Sequence, residues 1–258
     1  MSDLPPPPSA PPPSAPPPPP SSLIPPGYVA YGAPGARPYG GRFQAVGGIG
    51  KAMNILLIVF LPLQVLTVFS TYKLSNDAKD FLNGDMSESA FRSASRANLG
   101  TFSGLLLIPI AVLTMILMFR MAKNMQSVGR GGQTWRPGWA IGGWFCPPFL
   151  YVIPWLMFRE LWKGSDPAAS YDWKRSRVSP LVNLWWVMYG VIPLAGLVTA
   201  AGVFADLRRP TLEDFADKMH DFALINVLLG VVSFFAGIVY LLMIRQLVRR
   251  HRETIGEA

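Results

Sequence analysis

The side chains best suited to chemistry lie between tryptophans, in the segment PWLMFRELWKG that begins at Pro154. Trp155 precedes Arg159 by four residues, a spacing that brings an indole ring and a guanidinium together on one helix face. Two interpretations are open for Arg159 and its neighbour Glu160. They form an ion pair that holds the segment at an interface, or Arg159 binds a phosphate group with nearby basic residues. Those residues are Lys163, Lys174, Arg175 and Arg177.

Residue types that support catalysis or metal binding are otherwise scarce. His220 and His251 are the two histidines, and they are too isolated to predict a metal site or a histidine–nucleophile pair. The glycine-rich VGRGGQ lacks the Lys-Ser/Thr of a phosphate loop. Cys146 has no basic neighbour in sequence and is predicted to be a small buried residue. We therefore expect no enzyme activity, no cofactor and no metal.

The composition indicates a membrane protein, because half of the residues are hydrophobic and only 15% are charged. Apolar runs of about 18–20 residues are long enough to cross a bilayer as helices. The sequence predicts an all-α integral membrane protein with four transmembrane helices in the cell (inner) membrane. The crossings are expected at about residues 52–72, 102–121, 180–204 and 222–244. We attribute the net charge of +8 to topology and contact with anionic membrane lipids, and we expect no nucleic acid partner.

The first 50 residues contain 16 of the 26 prolines and bury too little apolar surface to fold. They are predicted to form a disordered, proline-rich cytoplasmic tail with local polyproline II structure. This tail is either solvated chain or a ligand for a proline-recognising protein partner. The membrane domain is predicted to occupy residues 51–250, and residues 251–258 are a short second cytoplasmic tail.

Residues 136–162 contain an uncharged stretch that is long enough to cross the bilayer, yet its prolines argue against a continuous helix. Pro147 and Pro148 force the residues before them out of helical backbone angles. Pro154 fits best as the first residue of a new short helix. The stretch is therefore predicted to be a re-entrant or interfacial helical hairpin between the second and third crossings, docked against the bundle.

The distribution of lysine and arginine decides between the two topologies, because cytoplasmic flanks carry an excess of both. If residues 136–162 do not cross, 16 basic residues face the cytoplasm and 7 face outward. If they cross, 10 face inward and 13 outward. The first arrangement is favoured, with four crossings and both termini in the cytoplasm.

All eight tryptophans lie between positions 135 and 186, which places most of them near one membrane interface in this topology. They either anchor the hairpin at its depth or line a groove for a lipid headgroup or an amphipathic partner. The spacings Gly138/Gly142 and Ser233/Gly237 predict close helix contacts. The candidate contact residues are Trp139, Trp144, Pro147, Pro154, Trp155, Arg159, Glu160, Trp162, Trp185 and Trp186.

Helix signals are present in the two loops between crossings. Ser75 is predicted to cap a helix NDAKDFL that stops at Gly84, and SESAFRSASRANLG is expected to form a second helix. Thr211 and Asp214 approximate a capping box, so the last membrane helix is expected to begin early, before it enters lipid.

Several short motifs occur together in the second half of the chain. They are Pro-Gly-Trp at 137–139, Gly-Trp-Phe-x-Pro at 143–147, Pro154, Arg-Glu-x-Trp at 159–162, Trp-Trp at 185–186 and Arg-Gln at 245–246. In these motifs the chain resembles an uncharacterised bacterial membrane family, domain of unknown function 4328. The resemblance covers about residues 51–250. It implies a membrane domain and supplies no activity.

The chain departs from that family around Pro154. The family usually has an asparagine, a basic residue and a glutamine there, whereas this chain has Leu150, Ile153 and Leu156. If those polar groups bind a ligand in the family, this chain lacks them. The sequence thus predicts a non-catalytic scaffold or a partner- or lipid-binding membrane domain. The alternative is a small transporter, channel or lipid-handling protein with the hairpin as its gate.

Overall fold

A long apolar run that forms a helix satisfies its backbone hydrogen bonds within the same segment. The hydrocarbon core of a membrane requires this, because it contains no water to bind exposed backbone N–H and C=O groups. The computed structural model describes residues 43–97, 100–146, 151–169, 172–192, 194 and 211–257, and these residues contain helices and no strand. The helices are α1 (Gly47–Leu82), α2 (Glu88–Arg96), α3 (Gly100–Ser127), α4 (Trp139–Gly142), α5 (Val152–Gly164), α6 (Pro180–Trp186), α7 (Leu212–Asp221) and α8 (Ala223–Ile255). The all-α prediction is confirmed for this part of the chain.

Three of the described helices are long and apolar enough to cross a membrane: α1, α8 and the Ser103–Ser127 part of α3. They correspond to the first, second and fourth predicted crossings. The predicted third crossing begins as α6 and continues as a wider π-helical turn, Val187–Val191. Most of its remainder lies outside the described residues, as do residues 1–42 and the proline pair Pro147–Pro148. Four crossings therefore stay a prediction.

Helices α1 and α8 lie antiparallel and approach each other closely at glycines. A Cβ on Gly50 would lie 2.9 Å from Cγ1 of Val248, and a Cβ on Gly230 would lie 2.7 Å from Cγ2 of Val68. Small residues at such points allow two membrane helices to pack backbone against side chain. The start of α1 therefore adjoins the end of α8.

The predicted small-residue contacts are confirmed at one site and wrong at another. A Cβ on Gly237 would lie 3.1 Å from Leu61 in α1, so Gly237 is a contact position. A Cβ on Gly138 or Gly142 would meet no described atom within 4 Å. The close-contact position in this segment is Gly143, because a Cβ there would lie 2.5 Å from Cγ2 of Ile153 at the start of α5.

Helix α1 continues about ten residues beyond the predicted first crossing. Its 36 residues span about 54 Å, more than the ~30 Å of bilayer hydrocarbon. The predicted cap at Ser75 is wrong, because Ser75 lies inside α1 and its hydroxyl donates to the Thr71 carbonyl. The turns of α1 beyond the predicted crossing are stabilised by packing against α2 and α7.

A small core joins the end of α1 to α2 and α7. It consists of Leu74, Ala78, Phe91 and Ala216, and the Phe91 ring stacks on Phe81 at 4.9 Å between centroids. Burial of one such phenylalanine stabilises the fold by roughly 2 kcal/mol. The predicted helix at SESAFRSASRANLG is confirmed as α2, with Ser87 as its N-cap.

The predicted capping box is confirmed at the start of α7. The Thr211 hydroxyl accepts the Asp214 N–H, and the Asp214 carboxylate accepts the Thr211 N–H. This backbone hydrogen bond lowers the pKa of Asp214, with a further contribution from the Thr211 hydroxyl. The expected early start of the last membrane helix is wrong, since α7 ends at Asp221 and α8 begins after a break at Phe222.

Candidate functional site

The start of α1 and the ends of α3 and α8 meet at one end of the helix bundle, here called the basic end. The Arg120 guanidinium donates to the Ala45 carbonyl over 2.7 Å, and Nε of Arg245 donates to Oδ1 of Asn54 over 3.3 Å. Helix α5 also reaches this end, because the Arg250 guanidinium in α8 lies 5.3 Å from the ring centroid of its Trp162. The basic end therefore gathers residues far apart in sequence.

Arg159, Trp155 and Trp186 form three layers, here called the Trp155 stack. The two indole rings lie 4.2 Å apart and 14° from parallel, and the Arg159 guanidinium lies 4.8 Å from the Trp155 ring centroid. The predicted cation–π contact is thus confirmed. Both indole N–H groups are used, because Trp155 donates to Oδ1 of Asn183 and Trp186 donates to the Tyr151 carbonyl. The stack therefore fixes α5 against α6.

Glu160 does not pair with Arg159, so the predicted ion pair is wrong. Its two carboxylate oxygens accept the backbone N–H groups of Thr134 and Trp135 over 2.6 and 2.9 Å. Adjacent residues on a helix point in different directions, which separates the two side chains. No described carboxylate contacts the Arg159 guanidinium, and its N–H groups have no described acceptor. Arg159 therefore keeps its hydrogen-bonding edge open.

Trp162 and Trp185 lie in the main core, the apolar cluster of α1, α3, α5, α6 and α8. Trp185 stacks on Tyr189 and Tyr240, with 5.3 Å between ring centroids in each pair. Phe158 meets Trp185 edge-on at 5.2 Å. These rings support the Trp155 stack from within the bundle.

The remaining predicted site residues lie within residues 136–162, the segment predicted to form a hairpin. Trp139 is exposed and packs edge-on against Trp135, whereas Trp144 is half-buried. Pro154 is buried as the third residue of α5, two places later than predicted, where the missing N–H still costs no helical bond. Only Trp139–Gly142 of the first half is helical, and Pro147 lies outside the described residues.

A buried polar network at the basic end was not predicted from the sequence. His251 is fully buried, and its Nε2 lies 3.1 Å from the Asn124 amide, while its Nδ1 lies 2.8 Å from the Ser165 hydroxyl. The Asn124 amide is oriented by Gln44, whose N–H it accepts and whose carbonyl it donates to. Asn124 therefore donates to Nε2, so the imidazole is neutral with its proton on Nδ1.

Two further contacts close this end. The Glu257 carboxylate accepts the N–H groups of Val46 and Gly47 over 3.0 and 2.9 Å, at the positive end of the α1 dipole. The buried Arg130 guanidinium donates to the carbonyls of Asp166 and Ala169. Burial lowers the pKa of Arg130, and the nearby Asp166 carboxylate opposes this shift.

The family model described as Domain of unknown function (DUF4328) matches residues 83–249, about two thirds of the chain. The chain belongs to the DUF4328 family. The match begins just after α1, later than the predicted start near residue 51, and it covers the Trp155 stack of this DUF4328 domain. No curated protein and no solved structure showed a significant match to the chain.

Proposed function

We propose that this DUF4328 protein is a non-catalytic membrane scaffold whose basic end binds anionic lipid headgroups. The observation that carries the proposal is the open guanidinium of Arg159, which lies over the Trp155 ring. A planar guanidinium with free N–H groups suits a lipid phosphate, which accepts two hydrogen bonds at once. Indole rings such as those of Trp155 and Trp186 favour the membrane interface between the hydrocarbon core and the lipid headgroups.

Neighbouring charges support a phosphate at this position. Lys163 lies four residues after Arg159 on the same face of α5, and its ammonium donates to the Lys174 carbonyl over 2.9 Å. Each basic residue near an anionic leaflet contributes about 1 kcal/mol of attraction. The Glu160 carboxylate accepts hydrogen bonds from the Thr134 and Trp135 N–H groups and does not pair with Arg159. Its negative charge therefore does not neutralise the Arg159 guanidinium.

Within this proposal the basic end faces the cytoplasm, and residues 136–162 form a hairpin that returns to the same side. The antiparallel packing of α1 on α8 supports this arrangement, since it places both ends of the membrane domain together. The proline-rich residues 1–42 would then be cytoplasmic. That tail is proposed to engage a protein partner, with the membrane domain as its anchor.

The proposed lipid contact predicts that replacing Arg159 and replacing Arg175 will change stabilisation by anionic lipid to different extents. In nanodiscs, phosphatidylglycerol is expected to raise the melting temperature of the wild type relative to phosphatidylcholine. Arg159→Gln should remove about half of that rise, because one basic contact of about 1 kcal/mol is lost. Arg175→Gln is the matched control, since Arg175 is exposed and already paired with Asp172 at 3.1 Å. Equal losses in both variants would indicate a diffuse charge effect and contradict the site.

The topology predicts the location of two positions. Reporter domains fused after Pro167 and at the C-terminus should both report cytoplasm, because 16 of the 23 basic residues then face inward. Protease protection in inverted vesicles gives an independent measurement. A reporter at Pro167 that is active only on the outer side would mean that residues 136–162 cross the bilayer.

A further inference from the structure

Residues 43–47 lie across the basic end and lead into α1; they are here called the strap. The strap backbone makes five hydrogen bonds to side chains elsewhere in the chain, and their partners are Asn124, Arg120 and Glu257. Val46 is buried, whereas Phe43 and Ala45 are exposed. The strap is therefore fastened mainly by polar groups that α3 and the end of the chain provide.

Asn124 connects the strap to the buried His251. The Gln44 N–H can only donate, so it fixes which end of the Asn124 amide is the oxygen. The amide nitrogen then donates both to the Gln44 carbonyl and to Nε2 of His251, over 2.8 and 3.1 Å. On the other side of the ring, Nδ1 lies 2.8 Å from the Ser165 hydroxyl, which can donate or accept. The strap thus holds a hydrogen-bond donor against Nε2 and keeps His251 neutral.

Protonation of His251 is incompatible with the bonds between Asn124 and the strap. A protonated imidazole donates from both nitrogens, so Nε2 then needs an acceptor. Asn124 can offer its Oδ1 to Nε2 only if the amide is flipped. The flip places the amide NH2 group against the Gln44 N–H and the amide oxygen against the Gln44 carbonyl, so both bonds to Gln44 are lost. Proton uptake by His251 and closure of the strap therefore exclude each other.

His251 lies beyond the apolar part of α8, which ends at Ile244. The charged side chains around it in the described part of the chain are Arg120, Arg130, Asp166, Arg250, Arg252 and Glu257. Arginines stay charged and carboxylates ordinarily titrate near pH ~4, so within this group His251 is the one that changes charge between about pH 5 and 8. Burial lowers the pKa of His251 to about 4; the Glu257 carboxylate opposes this shift and the Arg130 guanidinium adds to it.

We propose that the strap is a pH-sensitive switch that opens when His251 takes up a proton. Once the strap opens, the hydrated imidazole has the ordinary histidine pKa of about 6.5, so the open state binds the proton more tightly than the closed state. The closed strap is fully favoured above pH ~6.5 and loses stability as the pH falls through 6.5 towards the closed-state pKa of about 4. Because the strap joins residues 1–42 to α1, opening releases the attachment of that tail to α3. This proposal does not rest on lipid binding at Arg159.

Hydrogen–deuterium exchange of the full chain in nanodiscs, followed by mass spectrometry, tests the switch. The N–H groups of Gln44, Val46 and Gly47 report opening, because each donates to a side chain outside the strap. After correction for intrinsic exchange, their protection should fall about thirtyfold from pH 8 to pH 5, as pKa values of about 6.5 and 4 require. Peptides from the middle of α3 should keep their protection. A parallel loss there would mean global unfolding and would overturn the switch.

Replacement of each histidine by glutamine separates His251 from the other titrating groups. His251→Gln keeps a side chain that can hydrogen-bond but removes the titration, so protection of the strap should become independent of pH over this range. His220→Gln, on the exposed histidine of α7, is the matched control and should retain the full fall. An undiminished fall in His251→Gln would assign the effect to the carboxylates of Asp166 or Glu257 and overturn the proposal. Constant protection in the wild type would overturn it as well.

A second measurement leaves His251 in place. Glu257→Ala removes the acceptor of two strap N–H groups, so the strap should open more often at neutral pH. Diethylpyrocarbonate, which modifies accessible neutral imidazoles, should then label His251 about tenfold faster than in the wild type, with the exposed His220 as internal reference. Glu253→Ala makes the same charge change at an exposed position of α8 and should leave the rate unchanged. Equal labelling of Glu257→Ala and the wild type would show that the strap does not control access to His251, which contradicts the switch.

Discussion

Replacing Gly143 with alanine is expected to destabilise the domain by about 2 kcal/mol, the usual cost of adding a methyl group to a packed site. The new Cβ would lie 2.5 Å from Cγ2 and 3.2 Å from Cβ of Ile153. Since the second of these atoms is attached to the α5 backbone, a rotamer change cannot relieve both contacts. The new Cβ would also lie 2.8 Å from the Trp139 carbonyl oxygen, so the turn itself must adjust as well. Any shift of α5 away from Gly143 moves the Trp155 stack with it. The melting temperature in detergent should fall by roughly 5 °C.

Gly142 provides the matched control, because it precedes Gly143 and a Cβ there meets no described atom within 4 Å. Gly142→Ala should leave the melting temperature unchanged or raise it slightly, as alanine favours the helical state. A similar loss in both variants would show that the turn needs glycine for its backbone, and it would contradict the contact with Ile153.

Replacing Asn124 with alanine should have the larger effect, a loss of about 3 kcal/mol in the free energy of unfolding. Asn124 is buried, and its amide bonds both backbone groups of Gln44 and the imidazole of His251. Alanine leaves these groups without their partner and opens a cavity in a region from which water is excluded. Unfolding in mixed detergent micelles by SDS titration measures the change.

Gln126 lies exposed on the same helix, so Gln126→Ala should change the free energy of unfolding by less than about 0.5 kcal/mol. A double-mutant cycle with His251→Ala isolates the shared hydrogen bond, because the two losses should not add. Fully additive losses would mean that Asn124 and His251 stabilise the fold independently.

The sequence predicts the apolar helices well, because lipid leaves such segments few alternatives to a helix. It predicts their ends poorly, since packing outside the bilayer determines them. Helix α1 extends to Leu82 because Leu74 and Ala78 are buried against Phe91, a contact that hydropathy does not reveal. The third crossing and the Pro147–Pro148 turn stay predictions.

At the candidate site, the sequence predicts a contact between residues close in the chain but misses contacts between residues that are far apart. Trp155 and Arg159 are four residues apart on one helix, so their contact follows from helix geometry alone. Glu160 binds backbone about 25 residues away, and no local pattern marks backbone N–H groups as its partners. His251 likewise looks like one polar residue in a basic tail until α3 and α8 are brought together.

The packing of α1 against α8 has a consequence for biogenesis. The ribosome completes α1 well before it reaches Ala223, so α1 enters the bilayer without its main neighbour. During that interval the Gln64 side chain lacks the Gly230 carbonyl, and the glycine-lined groove that receives Val68 does not yet exist. The contact between α1 and α8 therefore forms only after translation of the last helix, and a nascent chain stalled before α8 leaves the Gln64 amide without its Gly230 acceptor.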